Sequence, residues 1–151
     1  MQLRAARPGE AQTLTELALR SKAYWGYDDA FMAACRDELT MRADELERRR
    51  VTVAERDGRI AGFVSVEGEP PEGAVGMMFV DPELIGRGVG RLLFEHALGS
   101  ARSAGFTRLT IDADPNAAPF YRSMGAVQIG ETPSGSIPGR TLPLLEIALG
   151  T

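Results

Sequence analysis

The stretch Met77-Met78-Phe79-Val80-Asp81-Pro82-Glu83-Leu84-Ile85-Gly86-Arg87-Gly88-Val89-Gly90-Arg91-Leu92-Leu93-Phe94 carries three local patterns in succession. An apolar run gives way to a glycine-rich turn, and the turn to apolar residues at helical spacing. It reads as a strand, a turn and an amphipathic helix. Gly86, Gly88 and Gly90 leave the backbone bare where the helix begins. The amides of a first helical turn have no acceptor inside the helix and favour an anion in front of them. Arg87 and Arg91 add positive charge beside them, so the stretch suggests a phosphate or pyrophosphate seat. The alternative is a tight strand-to-helix turn that binds nothing. Three glycines argue against it, since each is less favourable than alanine by ~1 kcal/mol inside a helix.

Working outward, Val89, Leu92, Leu93, Ala97, Ala101 and Ala104 fall on one face of the helix, and Gly105 is placed to end it. Thr107 to Asp112 then alternates as a strand. Its link through a helix makes it a crossover partner, parallel to the strand Ala74 to Val80. Upstream, Val51 to Glu55 and Ile60 to Val66 flank Arg56-Asp57-Gly58-Arg59, where Asp57-Gly58 is a hairpin signal. A second turn, Glu67 to Gly73, leads into Ala74 to Val80, which gives three antiparallel strands in series. Gln2 to Ala6 reads as a first strand and Ala11 to Ala23 as a first helix. A second helix follows, capped by Asp28 or Asp29, with Phe31, Met32, Cys35 and Leu39 as its buried face. Thr40 to Arg49 adds a further helical turn or two. Downstream come a short helix at Asn116 to Met124, a strand at Ala126 to Ile129, a loop from Glu131 to Gly139, and a last strand at Leu142 to Leu149. The expected architecture is α/β, a single domain over 1–151 with a mixed sheet of six or seven strands flanked by helices.

Composition sets bounds on function. Of 151 residues 44% are hydrophobic and 25% charged, ordinary values for a globular chain. Lys and Arg number 17 against 21 Asp and Glu, a net charge of −4, which gives no general attraction to nucleic acid or to an anionic membrane. Arg48-Arg49-Arg50 follows Glu45 and Glu47 and reads as a solvated helix end. The one cysteine, Cys35, and the one histidine, His96, do not make a zinc set, so no metal is expected. The first residues lack a signal-peptide core, and no apolar run approaches the roughly 20 residues that span a bilayer. A cytoplasmic location is the expectation.

Two familiar phosphate motifs do not fit. A dinucleotide fingerprint wants Gly-x-Gly-x-x-Gly near a first strand, and a triphosphate loop ends in Gly-Lys-Ser or Gly-Lys-Thr. Val80-Asp81-Pro82 followed by Ile85-Gly86-Arg87-Gly88-Val89-Gly90 instead resembles the cofactor motif of the GNAT N-acetyltransferase superfamily. That motif runs Gln or Arg, two residues, Gly, one residue, then Gly or Ala. Gly88 and Gly90 match its end, and Ile85 departs from its polar start. Asp114-Pro115-Asn116-Ala117-Ala118-Pro119-Phe120-Tyr121-Arg122-Ser123-Met124-Gly125-Ala126 looks like the second cofactor segment of the same family.

The resemblance implies acetyl-CoA or coenzyme A as cofactor. Its pyrophosphate would lie on Ile85, Gly86, Arg87, Gly88, Val89, Gly90 and Arg91, and its pantetheine arm between two splayed strands against Met78, Phe79 and Val80. Asn116, Phe120 and Tyr121 would complete the cofactor wall. Transfer from a thioester to an amine needs a neutral amine, a polarised carbonyl and a protonated leaving thiolate. Tyr121, ordinarily protonated at neutral pH, is the candidate proton donor; packed in the core with its hydroxyl on backbone, it would have no such role. A main-chain amide of the strand ending at Val80 would polarise the carbonyl.

A general base is sought among Glu69, Glu72, Asp112 and Asp114, with Glu72 as the candidate and a solvated loop carboxylate as the alternative for each. None is required if the amine arrives deprotonated, and His96 is assigned to packing or solvent. Tyr24, Trp25 and Tyr27 suggest a substrate wall, against a role as core anchors, and Arg140 a partner for a substrate carboxylate, against a plain surface arginine. Cys35 lies too early, in a helix, to carry an acyl group, so transfer is expected to be direct, in a ternary complex. The expected acceptor is a small-molecule primary amine. Alternatives are a protein or peptide amine, or a coenzyme A-binding regulatory module without catalysis. No nucleic-acid or membrane partner is expected, and the resemblance adds a homodimer.

Overall fold

The computed structural model describes residues 1–150, and the period-two stretches of the sequence pair there into one seven-stranded sheet. In chain order the elements are β1 (Gln2–Ala5), α1 (Ala11–Ala23), α2 (Asp29–Leu39), β2 (Thr52–Arg56), β3 (Arg59–Glu69), β4 (Glu72–Val80), α3 (Val89–Ser103), β5 (Arg108–Asp112), α4 (Ala118–Ser123), β6 (Val127–Pro133) and β7 (Thr141–Ala148). The sheet order is β1-β2-β3-β4-β5-β7-β6. Only β4 and β5 run parallel, as their helical crossover requires; the other neighbours are antiparallel.

Alternation along the strands sends two sets of side chains to opposite faces. Ala54, Val64, Val66, Val75 and Leu109 meet Leu93, Phe94, Ala97 and Ala101 of α3 on one face. Val53, Phe63 and Met77 meet Leu14, Leu17 and Ala18 of α1 and Cys35 and Leu39 of α2 on the other. The α2 helix starts where expected, with the Asp28 carboxylate accepting the Phe31 amide at 2.8 Å.

Several boundaries differ from the sequence reading, each for a local reason. The segment Glu67 to Gly73 is mostly strand: β3 and β4 run on through it, and Gly68 pairs with Gly73 in register. The glycines there reflect close approach. A Cβ on Gly73 would lie 2.5 Å from the Phe106 ring. Thr40 to Arg49 holds only one short 3₁₀ turn, Ala43–Glu45. On α3, Phe94 is fully buried while Leu92 and Ala104 face outward, so the buried stripe is rotated from the expected one. The α4 helix begins at Ala118, because the Asp114 carboxylate accepts the Asn116 amide and first winds a turn. The β6 strand extends to Pro133 and shortens the following loop.

Candidate active site

Strand β4 keeps company with β5 for only three residue pairs, Glu72–Arg108, Gly73–Leu109 and Ala74–Thr110. Just beyond, the β3–β4 ladder changes register: Val64 faces Met78, but Val66 faces Val75, so Gly76 and Met77 together oppose Ser65. This is a β-bulge, which bends its strand and adds twist. Its effect is visible in the core, where Val75 packs toward α3 and Met77, two residues on, toward α1 and α2. Past the bulge β4 leaves β5, and a cleft of about 610 Å³ fills the gap, lined by Met78, Phe79, Val80, Ile111, Asp112 and Ala113. Backbone groups on that edge of β4 have no strand partner and open into the cleft.

The glycine turn stands at one end of this cleft. Gly86 and Gly88 have φ of 85° and 84°, and nothing lies within 4 Å of where a Cβ would sit on either. The left-handed backbone alone accounts for both glycines. Gly90 differs. Its φ is not positive, and a Cβ there would make ordinary contacts of 3.6 Å with Phe120 and 3.7 Å with Val80. Gly88→Ala is therefore expected to lower stability by roughly 1–2 kcal/mol. Gly90→Ala should be neutral or stabilising by up to about 1 kcal/mol. Urea melts of the two variants check the contrast, and equal losses would contradict it.

Ile85, Gly86, Gly88, Gly90 and Arg91 line the cleft, with Arg91 Nε donating to Glu95 at 2.9 Å. Arg87 is exposed and off the cleft wall, and the Val89 side chain is buried in the core, leaving only main-chain roles for Val89. The amides of Val89, Gly90 and Arg91 open the helix, where no intrahelical acceptor exists for them.

Farther along the same wall Tyr121 is 5% exposed, edge-on to Phe94 and Phe120 with ring centroids 5.5 and 5.3 Å away. It lines the cleft, and its hydroxyl makes no hydrogen bond to any of the described residues. A core tyrosine bonded to backbone is not what the structure contains. Burial, and then the charge of Asp114, raise its pKa far above the ordinary phenol value, so it stays protonated.

Asp114 is a hub. Its Oδ2 accepts from Lys22 Nζ at 2.9 Å and from the Tyr27 hydroxyl at 2.8 Å, and its Oδ1 from the Asn116 amide and side chain at 2.8 and 3.0 Å. Arg140 Nη2 donates to the Tyr27 hydroxyl at 2.8 Å and stands 3.7 Å from Asp114. Its guanidinium lies 4.8 Å over the Phe31 ring, which stacks on Tyr27 at 4.0 Å. Burial pushes the Asp114 pKa up, but Lys22, the Asn116 amide and Tyr27 outweigh it and the net shift is downward. Asp114 is thus an ionised anchor and a poor proton acceptor.

The substrate expectations change accordingly. Tyr27 and Arg140 are held inside this network, and a substrate carboxylate would have to compete with Asp114 and the Tyr27 hydroxyl for Arg140. Tyr24 and Trp25 are 53% and 41% exposed and meet edge-to-face, and of the two only Trp25 lines the cleft. Glu72, the candidate base, is at the end of β4 away from the cleft. It is exposed, paired with Arg108 at 3.3 Å, and six residues or roughly 20 Å of strand from Met78. Glu69 sits opposite it across the turn. Asp112 is exposed on the cleft wall with no ion pair among the described residues.

Residues not singled out from the sequence also shape the cleft. Lys22 and Arg49 line it, as does Glu38 of α2, which accepts a hydrogen bond from Ser136 of the β6–β7 loop. Ser65 and Glu67 hold the bulge from beneath. Nothing local marks these residues, because each is recruited by a partner distant in sequence. Among the described residues no His, Cys, Asp and Glu cluster could hold a metal, and no helix is long and apolar enough to cross a membrane.

A family model described as an acetyltransferase (GNAT) domain matches residues 10–135. The peptidyl-lysine N-acetyltransferase YjaB of Escherichia coli strain K12 is 34% identical over 98 residues, covering 65% of this chain and 61% of that protein. The match thus spans about three fifths of the relative's length. Among solved structures, a GCN5-related N-acetyltransferase from Rhodopseudomonas palustris superposes with a TM-score of 0.82 at 26% identity, over 97% of this chain and 94% of that one. The PaiA N-acetyltransferase of Thermoplasma acidophilum, solved in complex with coenzyme A, gives 0.81 at 17% identity over 97% and 98%. At that identity the likeness is one of fold alone.

Proposed function

From this chain's place in the family of GNAT acetyltransferases, to which it belongs, we propose that it transfers the acetyl group of acetyl-CoA to the side-chain amine of a lysine in a protein or peptide. The acceptor differs from the sequence expectation. A small-molecule amine was expected, and the peptidyl-lysine activity named for YjaB of Escherichia coli, and for its counterpart in Salmonella typhimurium, overturns it. The reading takes 1–151 as one domain, supported by the single sheet that runs through the described residues.

The observation that carries the reading is the Tyr121 hydroxyl, protonated, unbonded and facing a cleft that starts at an anion-favouring helix end. In the proposed assignment the coenzyme A pyrophosphate lies on the main chain of Gly86 to Arg91. The pantetheine arm follows the unpaired edge of β4 along Met78, Phe79 and Val80, with Asn116 and Phe120 opposite. A main-chain amide near Val80 donates a hydrogen bond to the thioester carbonyl oxygen. The neutral lysine nitrogen attacks the carbonyl carbon, a C–N bond forms, and the C–S bond breaks. The electron pair leaves on sulfur, which takes the Tyr121 proton; the nitrogen gives its surplus proton to water, and Tyr121 recovers one from solvent. Desolvation raises the thiol as well as the phenol, so the buried setting narrows the gap between donor and acceptor. Transfer is taken as direct, in a ternary complex: Cys35 lines the cleft but is buried on α2 beside Ser136, and a trapped acetyl-Cys35 would overturn this.

Thiol release from acetyl-CoA in the presence of lysine-containing peptides tests the reading. The expected outcome is release that requires the lysine amine and is lost when that lysine is replaced by norleucine. Coenzyme A binding without thiol release across such peptides would favour a non-catalytic module, and no binding at millimolar coenzyme A would remove the proposal altogether.

A further inference from the structure

The bulge in β4 is where the cleft opens, so whatever fixes the bulge fixes the cleft. Two residues opposed to one leave a main-chain amide without its ladder acceptor. Here that amide belongs to Met77, and it donates to the Ser65 hydroxyl at 2.9 Å. Ser65 is fully buried and donates in turn to Glu67 Oε2 at 2.6 Å. The same oxygen takes two further bonds from Arg49, from Nη2 at 2.8 Å and from Nε at 3.0 Å. Three donors therefore converge on one carboxylate oxygen.

Space for that carboxylate exists only because residue 76 has no side chain. A Cβ on Gly76 would lie 1.7 Å from Glu67 Oε2, well inside contact distance. The bulge, the missing side chain and the carboxylate form one interlocking unit. Arg49 and Gly76 both reach the cleft surface, so the unit is the floor on which Met78 to Val80 rest.

The geometry points to a brace of Arg49, Glu67 and Ser65 that sets the course of β4 past the bulge, with Glu67 as a positioning residue for the transfer. The inference deepens the acetyltransferase reading and rests on it for the effect on turnover. Its structural part stands on the Met77 amide alone. Removing the brace frees that amide and lets the strand wall of the cleft drift, while the glycine turn and its hold on the cofactor's diphosphate stay as they are.

The test uses the full chain with Ser65→Ala, Glu67→Ala, Glu67→Gln and Gly76→Ala. It measures amide hydrogen exchange over Gly76 to Val80, coenzyme A affinity, and kcat for lysine-peptide acetylation. Ser65→Ala, Glu67→Ala and Gly76→Ala are expected to speed exchange at Met77 at least tenfold and to lower kcat 10- to 100-fold. Coenzyme A affinity should stay within threefold. Glu67→Gln keeps an oxygen for the Ser65 hydroxyl and should restore most of kcat and most of the protection.

Unchanged Met77 exchange in Ser65→Ala and Glu67→Ala overturns the brace whatever the activity does. A Glu67→Gln enzyme as inactive as Glu67→Ala, with protection intact, overturns positioning in favour of proton acceptance by Glu67. Should wild-type protein release no thiol, the acetyltransferase reading fails on its own, and exchange at Met77 still decides the brace. Glu67 is partly exposed, so its variants keep the test open if Ser65→Ala does not fold.

Discussion

Replacing Tyr121 by phenylalanine is expected to cut kcat at least a hundredfold while leaving the fold and the cofactor affinity almost untouched. Positioned proton donors contribute about 10²- to 10⁴-fold to catalysed rates, and the phenol is a buried, acidic-proton-bearing hydroxyl on the cleft wall with no hydrogen-bond partner among the described residues. The substitution removes one oxygen and retains the ring, which touches Phe94 and Phe120 edge-on. No internal hydrogen bond is lost, so the melting temperature should move by no more than a few degrees and coenzyme A affinity by no more than twofold. Steady-state thiol release, calorimetric titration and a thermal melt on the same two proteins check all three. Equal kcat values would mean that the leaving thiolate takes its proton elsewhere; a collapse in stability would mean that the hydroxyl has a structural partner in solution.

The second large effect is expected at Asp114. This carboxylate ties together Lys22 of α1, Tyr27 of the α1–α2 link, Asn116 before α4 and Arg140 after β6, all at once. Asp114→Ala would leave the mostly buried Lys22 ammonium and Arg140 guanidinium facing each other without a counter-charge. The expected loss is about 3 kcal/mol at neutral pH. The sign with pH follows from the depressed folded pKa of Asp114. Its contribution is complete above the unfolded aspartate pKa, near 4, and is lost as pH falls through the lower folded value. Urea melts of wild type and variant should therefore lie well apart at pH 7 and draw together toward pH 2. A gap that is absent at pH 7, or that persists undiminished at low pH, contradicts the assignment. The same substitution removes one of the two influences that raise Tyr121, and the phenol should titrate closer to its ordinary range.

Some of this molecule is written locally and some is not. The strand–turn–helix at Met77 to Phe94, the Asp57-Gly58 hairpin and the parallel crossover are set by period and by glycine, so they can be read from neighbours in the chain. The bulge is different. Gly76 looks like one more small residue in an apolar strand, and only the Glu67 carboxylate beside it shows what a side chain there would displace. Glu67 itself reads as turn residue because Gly68 and Pro70 follow it, although the turn is confined to the tip of the hairpin. Glu72 lies away from the cleft because a strand places residues by length. Its carboxylate belongs to the closed end where β4 still pairs with β5, and the proposed transfer site lies at the open end. Arg140 and Tyr27 lie 113 residues apart, and no spacing rule joins them; their role as mutual partners emerges only from the packed loop.

The three-pair seam between β4 and β5 has a consequence for the molecule as a whole. Strands β1 to β4 form one leaf, β5 to β7 another, and along most of their common border the two are held by no ladder. A guest carrying amides of its own, seated along that border as proposed, would bond to both leaves and complete a fabric that the polypeptide leaves half stitched. Occupancy would then add to the mechanical unity that three residue pairs alone supply.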